Sequence, residues 1–120
     1  KALRPMADLM ARHASGFGRF LCALDFNLGP VVEIALVAPL AGGAGDGMAA
    51  LVREVFGRWL PNRVVAGMAA GDEAARTGIP LLEGRSAVDG KATAYVCRNY
   101  ACELPVTERE MLARQLDGPR

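Results

Sequence analysis

Residues 92–105 read ATAYVCRNYACELP, and the fold turns on that stretch. Thr93 to Cys97 is an apolar run that fits a buried strand. A polar turn, Arg98-Asn99, follows it. Cys102 comes next, and then Pro105, which cannot donate to a ladder and stops it. Two of the three cysteines and both tyrosines, Tyr95 and Tyr100, lie here. No complete catalytic set occurs anywhere in the chain.

Working outward, residues 31–37 (VVEIALV) are nearly all apolar and rich in β-branched side chains. That is the pattern of a strand covered on both faces, which favours a parallel sheet. Residues 39–47 are a loop of small residues. Met48, Leu51, Val52, Val55, Phe56 and Trp59 then recur at helical spacing and are expected in the core, with Asp46 as the N-cap. Pro61-Asn62 ends that helix, and residues 63–67 form a second short strand. Strand, helix and strand make a βαβ unit with a right-handed crossover. Residues 68–90 are the least regular part. Within them Ile79-Pro80-Leu81-Leu82 is an apolar tether for the core, and Asp89-Gly90 is a turn.

At the front, Leu3, Met6, Leu9 and Met10 have three-and-four spacing over residues 3–12. His13 to Gly16 breaks that helix, because each glycine inside a helix costs about 1 kcal/mol. Ser15 can cap a restart carrying Phe17, Phe20, Leu21, Leu24 and Leu28 on one face, and Gly29-Pro30 ends it. At the far end, Thr107 and Glu110 have the spacing of a capping box, and Val106 and Met111 that of a hydrophobic staple. Leu112 and Leu116 continue the face, with Gly118 as C-cap and Pro119 beyond.

The 120 residues suit one folded unit. At 52% hydrophobic and 22% charged, the chain can bury a core. A net charge of +1, with no basic run, gives no case for nucleic acid or an anionic membrane. The most apolar stretch is interrupted by Glu33 and Pro39 and falls short of the roughly 20 residues a spanning helix needs. Three cysteines are not a disulfide scaffold, the odd count leaves at least one thiol free, and a reducing, cytoplasmic compartment is expected. The chain starts at Lys1 with helix almost at once, and is read as a piece of something longer.

Residues 83–107 (EGRSAVDGKATAYVCRNYACELPVT) resemble the C-terminal signature of thioredoxin-domain-containing proteins related to spermatogenesis-associated protein 20. Residues 24–37 (LDFNLGPVVEIALV) and 60–65 (LPNRVV) match the same family in the same order. The resemblance implies a much longer protein. It would carry an N-terminal thioredoxin-like domain, then an (α/α) barrel similar to N-acylglucosamine 2-epimerases and six-hairpin glycosidases. Residues 1–30 would be the last barrel helices and residues 31–120 a C-terminal α/β subdomain. The thioredoxin Cys-x-x-Cys and the sugar-pocket acids and histidines would lie upstream, so no catalytic residue carries over to this chain.

Cys97 and Cys102 are the redox candidates. A tight turn can bring their Cα atoms within the roughly 7 Å a disulfide needs, and Arg98 beside Cys97 would favour a thiolate. Two small buried hydrophobes flanking a turn is the favoured alternative. Zinc needs about four ligands, and only Cys22, expected to pack in its helix, and His13, expected at the helix break, could add to the pair. The loop Gly42-Gly43-Ala44-Gly45-Asp46-Gly47 sits where a helix N-terminus could meet phosphate, but it lacks a Walker or dinucleotide pattern and is read as a connector. Glu33, inside an apolar strand, either points out at an edge or is buried with a partner, Arg63 or Lys91, as a structural ion pair.

The sequence therefore predicts an α/β fold, with N-terminal helices followed by a small three-stranded, mainly parallel sheet flanked by helices. The expected role is a non-catalytic accessory region with no cofactor and no metal, packed on upstream domains of the same protein. A thiol-redox module using Cys97 and Cys102 is the second reading. Part of a carbohydrate-active enzyme with its catalytic residues upstream is the third. Alone, the chain is expected to dimerise through the apolar residues between Leu3 and Leu28.

Overall fold

The computed structural model describes residues 3–40 and 44–118, and of residues 44–46 the backbone alone. Its described elements run α1 (Ala7–Arg12), α2 (Gly18–Leu28), β1 (Val32–Ala38), α3 (Ala44–Phe56), β2 (Arg63–Ala69), α4 (Glu73–Gly78), β3 (Thr93–Arg98), β4 (Ala101–Cys102) and α5 (Arg109–Leu116). Short 3₁₀ turns at Arg4–Met6, Ala14–Phe17 and Pro80–Leu82 join them. The α/β class and the helices-then-sheet order agree with the sequence reading.

The sheet differs from that reading. It has four strands in the order β2-β1-β3-β4, and only β1 and β2 are parallel. β3 runs antiparallel to β1, with Val37 opposite Thr93 and Val32 opposite Arg98, and β4 runs antiparallel to β3. The apolar run of β1 reports burial on both faces; it carries no information on direction. Direction comes from the connection after β2. The connection leaves from Ala69, beside Ala38, and delivers the chain to Thr93, beside Val37, so β3 starts at the C-terminal end of β1 and runs back.

Alternation divides β1 between two faces. Val32, Ile34 and Leu36 join Ala94 and Val96 of β3 under Leu51 and Val55 of α3 and Leu112 and Leu116 of α5. Ala35, Val37 and Tyr95 point the other way, toward Met68 and Leu82. The 79–82 tether thus packs through Leu82, while Ile79 stays exposed.

Several local expectations shift. The helix α3 closes at Phe56, where the Gly57 N–H donates to the Arg53 carbonyl. Trp59 then lies beyond the helix at 82% exposure and Phe56 on its flank at 56%, so neither is core. The backbone of α3 begins at Ala44, ahead of the expected cap Asp46, whose side chain is outside the described residues, as is much of the 42–47 loop. Ser15 sits within a 3₁₀ turn rather than capping α2. The capping box and staple do not form. Val106 exchanges both backbone hydrogen bonds with Ala94 and is buried, which delays α5 to Arg109 and leaves Met111 exposed. Asp117, not Gly118, is the C-cap, and Pro119 lies outside the described residues.

The first two helices project from this body. The molecule measures 55 × 30 × 24 Å with a radius of gyration of 17.1 Å. A compact domain of this length would have about 13–14 Å. No described helix is long and apolar enough to cross a membrane.

Candidate functional site

The hairpin after β3 is where the chain's chemistry gathers. β3 and β4 pair Cys97 with Cys102 and Arg98 with Ala101. That leaves Asn99 and Tyr100 as a two-residue loop, with φ of 50° and 65°. Both values are left-handed, as a type I′ hairpin turn requires. Facing residues across such a turn bring their side chains together, and Cys97 and Cys102 are joined as a disulfide with Cα atoms 3.9 Å apart. Cys97 is buried under the sheet face and Cys102 is exposed.

The cation beside the sulfurs is Arg85, not Arg98. Neighbouring strand residues point to opposite faces. Arg98 therefore turns toward α5, where Nη2 donates to the Gln115 carbonyl at 2.7 Å and Nη1 meets Glu103 at 2.9 Å. Arg85 Nη2 lies 3.2 Å from Cys97 Sγ and 3.1 Å from Cys102 Sγ. Its guanidinium stacks 4.7 Å over the Tyr95 ring.

Residues 85–91 are held in place from several sides. The Tyr95 hydroxyl donates to the Ser86 carbonyl at 2.7 Å. The Val88 N–H donates to Thr93 Oγ1 at 2.9 Å. Asp89 and Gly90, with φ of 50° and 65°, form the expected turn between the bridged Val88 and Lys91. Arg85 Nε reaches the Leu81 carbonyl at 3.4 Å. The sequence reading placed Arg85 in the irregular 68–90 part and did not single it out. The signal that could have found it is that same Asp89-Gly90 turn, which folds the residues before it back along β3.

The remaining candidates separate. Glu33 stands opposite Cys97 in the ladder without Arg63 or Lys91. Arg63 lies over the Phe56 ring and donates to the Leu60 carbonyl, and Lys91 pairs with Glu108. Cys22 is exposed and free rather than packed in α2. His13 joins α1 to the next turn without a side-chain cap bond. Among the described residues, no three His, Cys, Asp or Glu side chains could hold a metal ion.

Away from the hairpin, Glu54 is held between Arg58 of its own helix, at 2.7 Å, and Arg109 of α5, at 2.7 Å. Hydrogen bonds from Arg109 and then Arg58 hold its carboxyl below the usual carboxylate range. Arg58 also pairs with Asp117. This network joins two helices. A hollow of about 220 Å³ lies where α2 meets the body, lined by Asp25, Pro30, Leu60 and Asn62. Small-molecule sites usually measure about 300–1,000 Å³.

No protein-family model, curated protein or solved structure matches the chain.

Proposed function

We propose that this chain is a non-catalytic accessory region that packs, through its N-terminal helices, on an upstream body of the same protein. The observation that carries the reading is the projecting helical arm. Of its described residues only Met10 is buried, while Leu9, Phe20, Phe26 and Leu28 are exposed. Helices of six and eleven residues are marginal alone and gain their stability from packing. A groove of about 580 Å³ between them, lined by Leu3, Met10, Leu21, Leu24 and Leu28, offers the face for it. The family resemblance of residues 83–107 supplies the expected partner, an (α/α) barrel ending in such helices. Any sugar-directed chemistry would belong to that barrel.

Hydrogen exchange tests this directly. Arm amides should exchange slowly in a polypeptide carrying the upstream region and quickly in this chain alone; equal rates would end the proposal. Without its partner, the chain should self-associate through residues 3–28 in sedimentation experiments.

A second reading, a thiol-redox accessory module, is favoured by one specific observation: Cys97 and Cys102 are bonded, with Cys102 an exposed residue and a guanidinium against both sulfurs.

A further inference from the structure

Arg85 is a cation whose hydrogen bonds to the pair go to neutral sulfur. Disulfide sulfur is a weak acceptor. No carboxylate of the described residues forms an ion pair with Arg85; the six ion pairs present involve other arginines and Lys91. Yet the side chain is fixed on four sides, by both sulfurs, the Tyr95 ring and the Leu81 carbonyl. Reduction of the bond would supply the missing counter-ion, a thiolate.

Resting on the redox reading above, we propose that Arg85 activates the pair for exchange with external thiols, with Cys102 as the sulfur that reacts. Exposure selects Cys102, since Cys97 is only 2% exposed. An external thiolate bonds to Cys102 Sγ. The Cys97–Cys102 bond breaks, and its electron pair goes to Cys97 Sγ, where Arg85 Nη2 holds the buried thiolate. A second external thiolate then attacks the external sulfur of the mixed disulfide and releases Cys102 as thiolate. Two external thiols become one disulfide, and the protein pair gains two electrons, with two protons passing to the pair or to solvent. In reverse, the Cys102 thiolate, ion-paired to Arg85, attacks an external disulfide and Cys97 resolves it.

Few other charges face the pair. Glu33 stands opposite Cys97, and Tyr95 precedes it by two residues on the same face. Glu83 is exposed on the segment carrying Arg85. Glu103 is occupied by Arg98 on the α5 side. Glu33 opposes thiolate formation, so the cation must come from Arg85.

The test uses the whole chain. Free thiols are counted by mass after equilibration in graded reduced and oxidised glutathione. Iodoacetamide alkylation of Cys102 in the reduced protein is then followed against pH. Wild type should react with a midpoint below the roughly 8.5 of a free thiol. Arg85→Gln should raise that midpoint and slow the reaction about tenfold at neutral pH, the effect of one unit in thiol pKa. Arg85→Lys, which keeps the charge, should restore much of the rate, and Arg98→Gln should leave it unchanged. A pair that never reopens at any glutathione ratio overturns both the redox reading and this proposal. A pair that cycles while Arg85→Gln, Arg85→Lys and wild type share one alkylation profile overturns the proposal alone.

Discussion

The helical arm and the α/β body are built from comparably apolar sequence, yet only the body has a core. Its strands bury Ile34, Ala35, Leu36 and Val37 in succession because helices cover one face and the 79–82 segment part of the other. The arm's stripe of Phe20, Leu21 and Leu24 meets little of its own chain. Apolar periodicity states that a face wants cover; long-range partners decide whether it gets any.

Matched leucine truncations give the largest contrast. Leu112→Ala empties a fully buried site between α5 and the sheet and should cost about 2–5 kcal/mol. Leu28→Ala, at a site 74% exposed, should stay within about 0.5 kcal/mol. Denaturant unfolding measures both. Equal losses would mean that the arm is already packed, and the contrast would fail.

The ion network sharpens the comparison from the body's side. Glu54→Gln removes the charge that joins α3 to α5 and should cost about 1–3 kcal/mol at neutral pH. The sign with pH follows from the lowered carboxyl. Its contribution is complete above the ordinary glutamate value of about 4.3 and is lost as pH falls through the lower folded value. Wild type should therefore lose stability below about pH 4 more steeply than Glu54→Gln. Parallel acid transitions would remove Glu54 from the account.

The smallest effect belongs to the junction. Asn62 Nδ2 donates to Asp25 Oδ2 at 3.0 Å, tying the end of α2 to the turn before β2. Asn62→Ala should cost only about 0.5 kcal/mol, the low end for an exposed hydrogen bond. Proteolysis between arm and body should quicken even so. Unchanged cleavage would show that the arm is held by more than this contact.

Much of the body could be read from the chain. Residues 31–37 and 93–97 announced buried strands, and the Asp89-Gly90 turn fell where φ turns positive. Exposure of Trp59 could not be read, because helical spacing persists past Phe56, where the helix stops. The Thr107–Glu110 signature failed because a pair of backbone bonds from Val106 to Ala94 outweighed local capping. At the hairpin, both cysteines were legible and the turn was placed one residue early, since Arg98 still belongs to β3 and Asn99-Tyr100 make the turn. The wrong arginine was chosen, since adjacency in sequence along a strand means opposite faces in space.

By itself the sequence determined the α/β class, the burial of its two main strands and the candidacy of Cys97 and Cys102 as a pair, with the unbonded reading favoured. These follow from side-chain pattern and turn chemistry over a few residues. Only the tertiary structure decided the direction of β3, the fourth strand, and the choice of Arg85 over Arg98 as the cation at the sulfurs. The first and last depend on the path of the 70–92 connection, set by packing between residues far apart in the chain, and the fourth strand on the hairpin that β3 makes once it is placed.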